Sequence, residues 1–147
     1  MTTNKIHRLS HSKISCYKQC PRRYKFRYIE KLPVLQQWPH LIKGNFAHDV
    51  LEFWVKRLLK GEDPKEGMKA AYKEVLQSED YAGKVEEYLD EIQPWLKQAM
   101  AQYTATNFRP LMAEETINFR YRNIIVTGRV DRIDHVDPRT IKIVDYK

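Results

Sequence analysis

Cysteine is nearly absent. The chain of 147 residues has two, Cys16 and Cys20. Two thiols cannot build the disulfide framework of a small secreted domain, so a reducing cytoplasm is the expected compartment. No apolar run approaches the roughly 20 residues that a membrane-spanning helix needs. The first ten residues, MTTNKIHRLS, lack the apolar stretch of a secretory signal. There is no internal repeat and no low-complexity tract. Acids are missing from one stretch: between Lys5 and Lys31, nine basic residues stand against a single acid, Glu30. What is present is ordinary for a globular chain, 42% hydrophobic and 31% charged. The length suits one domain with a modest core. The net charge of +7 points to a polyanionic partner.

The most informative stretch is Glu114 to Lys147. Ile117, Phe119 and Tyr121 alternate with polar residues, which predicts a strand from about Thr116 to Tyr121. Arg122-Asn123 fits a tight turn, because Asn tolerates positive φ. A second strand is expected from Ile124 to about Ile133. Pro138 cannot serve a ladder, so residues 135–139 should turn. Ile141 to Lys147 reads as a third strand. If the last two strands pair as a hairpin, Asp131 can approach Asp145. Two carboxylates that close repel each other unless a cation lies between them. A hard divalent ion such as Mg²⁺ meets that need, with one or two carboxylates and a substrate phosphate as ligands. Lys147 would then stand beside the ion. A D-x-K triplet alone is a weak signal, since Asp63-Pro64-Lys65 is another, at a helix start.

The basic stretch near the N-terminus interleaves Tyr17, Tyr24, Phe26 and Tyr28 with its charges. Cations for phosphates and aromatics for bases make a single-strand binding pattern. Lys18, Arg22, Arg23, Tyr24, Lys25 and Arg27 are its candidates. The competing reading makes Ile14, Tyr17, Tyr24 and Tyr28 the core face of a helix. Ser12 is the expected cap of a short helix ending near Cys20, and Pro21 suits the first turn of the next. His7, His11, Cys16 and Cys20 also form two pairs of zinc-type ligands at four-residue spacing. No loop intervenes to fold them into a tetrahedron, and structural thiols with surface histidines are the plain alternative.

The middle of the chain reads as helical. Gly44-Asn45 precedes a helix from Phe46 to about Lys60, stopped by Gly61. Val50, Leu51, Trp54, Val55, Leu58 and Leu59 form its apolar face. Pro64 opens a second helix through about Gln77. A third runs from about Asp80 to Thr104, with Pro94 expected to kink or split it. Glu86, Glu87, Asp90 and Glu91 read as a solvated face.

The sequence Gly128-Arg129-Val130-Asp131-Arg132-Ile133-Asp134, followed by Asp145-Tyr146-Lys147, resembles the PD-(D/E)XK nuclease superfamily, and within it the RecB-like exonuclease branch. Two upstream stretches carry the same resemblance: the serine-rich run through Cys20-Pro21, and Gly44-x-x-x-His48 with Leu51-Glu52. The resemblance implies an α/β restriction-endonuclease-like core, a small mixed sheet flanked by helices. The helices would occupy the first two-thirds of the chain and three strands the region 111–147. It implies that the natural fold continues beyond Lys147 with a further helix and strands. It also assigns roles. Asp131 and Asp145, with His48 and the Tyr146 carbonyl, would hold Mg²⁺ or Mn²⁺, and Lys147 would serve the reacting phosphate. Glu115 is the expected further acid, a plain strand glutamate being its alternative, just as a packing or capping histidine is for His48. Cys20 matches an iron–sulfur ligand position, but a 4Fe-4S cluster would need further cysteines after Lys147.

The expected function is metal-dependent cleavage of DNA, single-stranded or with free ends, by an exonuclease of repair, recombination or mobile-element processing. A helicase or recombination protein would be its partner. Two other classes use the same residues: a nucleic-acid-binding module without catalysis, built on the basic aromatic segment, and a helical adaptor within a repair complex.

Overall fold

The structure, a computed structural model, describes residues 7–33 and 38–146. Among these are five α-helices and four strands. In chain order they are β1 (His7–Ser10), α1 (His11–Gln19), α2 (Pro21–Tyr24), α3 (Pro39–Leu59), α4 (Pro64–Leu76), α5 (Leu89–Thr106), β2 (Arg109–Tyr121), β3 (Ile124–Asp137) and β4 (Thr140–Val144). The strands make a mixed sheet in the order β1-β3-β2, with β4 also on β3. No helix among the described residues is long and apolar enough to cross a membrane.

The chain divides into two compact units, residues 1–36 with 116–129, and residues 37–115 with 130–147. In the first, β1 pairs in parallel with the start of β3, His7 with Ile124 through Ser10 with Thr127. No strand is expected from the sequence in this stretch, which reads as helical. Ser10, and not Ser12, caps α1, its hydroxyl accepting from the Lys13 N–H. Cys20 then caps α2, its Sγ accepting from the Arg23 N–H at 3.4 Å, and Pro21 fills the first turn. A π-helical turn, Lys25–Ile29, follows.

The second unit holds the core. Phe46, Val50, Leu51, Trp54 and Val55 of α3 meet Ala71 and Val75 of α4 and Ile92 and Leu96 of α5. This is the expected apolar face of α3, but the helix starts earlier, at Pro39, so Gly44-Asn45 lies inside it. Pro39 occupies the first turn, where its missing N–H leaves nothing unpaired. Gly61, at φ 81°, ends α3 as expected. Asp63 caps α4 by accepting from the Lys65 and Glu66 N–H groups at 3.0 Å, so the Asp63-Pro64-Lys65 triplet is a helix start. The indole of Trp54 donates to the Pro64 carbonyl at 2.9 Å, tying α3 to that start. The third expected helix is shorter than its periodicity predicts. Tyr81 and Val85 are buried from turns, a 3₁₀ turn (Glu86–Tyr88) follows, and α5 begins only at Leu89. Pro94 lies inside α5 without splitting it.

β3 and β4 pair antiparallel, with Arg132 opposite Val144 and Ile133 opposite Ile143, and a bulge between His135 and Asp137. The Arg122-Asn123 turn falls where expected, but the positive φ, 54°, belongs to Arg122.

Candidate metal centre

Three elements of the second unit converge on one imidazole. α3 carries His48, β2 carries Glu114 and β3 carries Asp131. His48 Nε2 lies 2.9 Å from Glu114 Oε1 and 3.1 Å from Asp131 Oδ1. The Glu114 side chain is 1% exposed and that of Asp131 12%. One nitrogen carries at most one proton, so it cannot satisfy two carboxylates equally. The ligand atoms of the three residues lie within 4.8 Å of one another. Two carboxylate oxygens and an imidazole nitrogen, held this close and largely out of solvent, suit a divalent cation better than they suit each other.

His48, Asp49 and Glu52 form another such group. All three come from α3. Asp49 already accepts the Tyr81 hydroxyl at 2.6 Å, and Glu52 pairs with Lys56. The group spanning three elements is therefore the stronger candidate. Burial, and then the bond to Asp49, push the Tyr81 hydroxyl pKa up, so that hydroxyl stays a donor.

The acid brought to His48 is Glu114, not the expected Glu115, which is exposed. The reason lies in the backbone. Glu114 has φ 55°, so β2 does not alternate strictly there. Ala113 and Glu114 are consecutive, yet both turn inward. Counting by two from Phe119 therefore selects the wrong glutamate.

The β3–β4 ladder ends at the Arg132–Val144 pair and β4 stops at Val144, so the third strand is shorter than the expected Ile141 to Lys147 and Asp145 lies just past its end. The contact between the two segments runs through a backbone group. The Tyr146 N–H donates to Asp131 Oδ2 at 2.7 Å. Asp145 is exposed and belongs to no group of three close metal-ligating side chains among the described residues. Lys147 lies outside the described residues.

Arg132 and Asp134 are buried, at 2% and 3% exposure, and form an ion pair with 2.9 Å between Nε and Oδ1. Sequence reasoning uses these residues only as part of a motif. Their spacing of two on a strand puts both on one face, and that signal is present in the sequence. Arg132 stacks on Phe108 at 3.7 Å and donates from Nη1 to the Tyr146 hydroxyl at 3.1 Å. The Tyr146 ring meets His48 edge-on at 5.9 Å between centroids.

In the first unit, Tyr17, Tyr24 and Tyr28 form a ladder with centroids 5.5 and 5.2 Å apart. Tyr17 is 56% exposed. Lys13 and Arg27 lie over Tyr28, and Arg22 lies over Phe26. Lys18, Arg22, Arg23, Lys25 and Arg27 are exposed. Cys16 and Cys20 are both free thiols, and Cys16 is the buried one. Among the described residues, no three of His7, His11, Cys16 and Cys20 gather into a metal-sized group.

No curated protein and no solved structure gives a significant match to this chain. The sequence model of one family does match, over residues 8–147, and so takes in α3 with His48, the β2–β3 hairpin and the Asp145-Tyr146-Lys147 triplet together. The five helices and the mixed sheet agree with that family's restriction-endonuclease-like fold. The chain belongs to the PD-(D/E)XK nuclease superfamily.

Proposed function

We propose that the protein is a Mg²⁺- or Mn²⁺-dependent deoxyribonuclease of the RecB-like branch, removing nucleotides from DNA ends during repair, recombination or mobile-element processing. The observation that carries this reading is the convergence of His48, Glu114 and Asp131 from three separate elements. In this reading those side chains hold the ion, joined by Asp145 and the Tyr146 carbonyl. When bound, the ion supplies positive charge at the scissile phosphate and favours ionisation of water. The chain's residues do the rest. Asp131 is oriented by the Tyr146 N–H, which keeps its other oxygen, Oδ1, toward His48. Lys147 orients the attacking water or neutralises charge that develops on the phosphate. Exposed Tyr17 at the end of the tyrosine ladder, and the cations around it from Lys18 to Arg27, bind the strand by stacking and phosphate contact.

The test is incubation of end-labelled single- and double-stranded DNA with Mg²⁺ or Mn²⁺, beside Asp131→Asn and Lys147→Ala. The expected result is metal-dependent mononucleotide or short products that disappear in both variants. Salt-sensitive DNA binding without metal-dependent products would favour the non-catalytic binding module. Internal cuts on closed circular DNA would make the enzyme an endonuclease.

A further inference from the structure

We propose that Arg132 is a positioning residue for the metal centre and acts through Tyr146. This rests on the reading of His48, Glu114 and Asp131 as metal ligands. A guanidinium that is 2% exposed needs partners, because burying an unpaired charge is costly. Arg132 has three. Asp134 lies 2.9 Å from Nε, the Phe108 ring lies under the guanidinium at 3.7 Å, and the Tyr146 hydroxyl lies 3.1 Å from Nη1. Asp134 alone neutralises the charge. A buried ion pair of this kind gains little over an apolar pair of similar volume, so stability is an insufficient reason for it. What a guanidinium adds is direction, since its N–H groups are fixed in a planar fork. One arm of that fork fixes the end of the Tyr146 ring.

Tyr146 touches two members of the metal group. Its backbone N–H donates to Asp131 Oδ2 at 2.7 Å, and its ring packs edge-on to His48. Holding the hydroxyl therefore limits the swing of the side chain about its Cα–Cβ bond, beside His48, and movement of the peptide that orients Asp131. The three partners of the Arg132 guanidinium include neither His48 nor Asp131, yet Arg132 constrains both through one side chain. Outer partners of this kind set ligand orientation and hence metal affinity.

The experiment is Mn²⁺ titration calorimetry on the whole protein, with thermal melting in EDTA beside it. Tyr146→Phe removes only the hydroxyl and keeps the ring and the N–H. Arg132→Met removes the fork, and Arg132→Lys keeps the charge without the fork. Mn²⁺ affinity should fall about 10-fold in Tyr146→Phe and about 10- to 100-fold in Arg132→Met. Arg132→Lys should not restore it, and the double variant should bind no more weakly than Arg132→Met. A purely structural role lowers the melting temperature but leaves the affinity of the folded protein unchanged. The proposal is overturned if Tyr146→Phe and Arg132→Met bind Mn²⁺ as tightly as the wild type while Asp131→Asn does not bind. Wild-type protein that binds no Mn²⁺, or binding that survives Asp131→Asn, overturns the metal reading and this proposal with it. If Arg132→Met fails to fold, Tyr146→Phe decides alone.

Discussion

Replacing Glu114 by glutamine should stabilise the metal-free protein and remove most of its thermal response to metal. The Glu114 and Asp131 ligand oxygens lie within 4.8 Å of each other, and both side chains are largely buried. Two negative charges at that distance repel by about 3 kcal/mol at an effective dielectric near 20. Glutamine keeps the shape, removes one charge and can donate to Asp131. A net gain of about 1–3 kcal/mol is expected in EDTA. For a chain of this size that is a rise in Tm of about 3–9 °C. Mn²⁺ at 100 times its Kd should stabilise the wild type by about 2.7 kcal/mol, or about 8 °C. A 100-fold loss of affinity in Glu114→Gln would leave about 0.4 kcal/mol, a shift of about 1 °C. Glu115→Gln should change neither quantity, because Glu115 is exposed. Differential scanning calorimetry with and without Mn²⁺ measures all three proteins. Glu114→Gln melting below the wild type in EDTA, or keeping the full Mn²⁺ shift, would refute the reasoning.

The other predictions concern the core, the basic segment, Lys147 and acid stability. Trp54→Ala should cost about 3–5 kcal/mol in chemical denaturation, because the side chain is fully buried and its indole bonds the Pro64 carbonyl. Arg22→Gln with Arg23→Gln should flatten the plot of log binding constant against log salt, by about 0.7 on single strands for each phosphate that is no longer neutralised. An unchanged slope would remove these residues from the DNA interface. Lys147→Ala should abolish cleavage while Mn²⁺ affinity falls much less, a split that calorimetry and the cleavage assay resolve together. The backbone N–H groups around Gly83 hold the Glu86 carboxyl below its ordinary value of 4.5. A depressed folded pKa gives stability that is present above about pH 4.5 and is lost as pH falls through the lower folded value. Glu86→Gln should therefore melt with a shallower dependence on pH below that point, and an identical acid limb would contradict the assignment.

Much of the fold is legible in the sequence because it is local. The apolar spacing on α3, the stop at Gly61, the start at Pro64 and the β3–β4 pairing all follow from neighbours within a few residues. What escapes the sequence depends on distant partners or on single torsions. β1 is four residues long and exists by pairing with residues 124–127, which no local pattern reveals. The early start of α3 is signalled by Pro39 but hidden by Gly44-Asn45, which a long packed helix tolerates. Tyr81 and Val85 are buried as the periodicity implies, yet from turns, because burial and helix are separate properties. At the site, His48 and Asp131 are neighbours as expected, since each sits in regular structure. Glu114 escapes, because a φ of 55° shifts the alternation by one residue. Arg132 and Asp134 need no distant information, only the two-residue period of a strand.

The central claim is that His48, Glu114 and Asp131 hold one divalent ion. Pulsed electron paramagnetic resonance of the protein with one equivalent of Mn²⁺ tests it most directly. The account predicts hyperfine coupling to an imidazole nitrogen that is present in the wild type and absent in His48→Gln. Mn²⁺ bound without nitrogen coupling, or coupling that persists in His48→Gln, would contradict it.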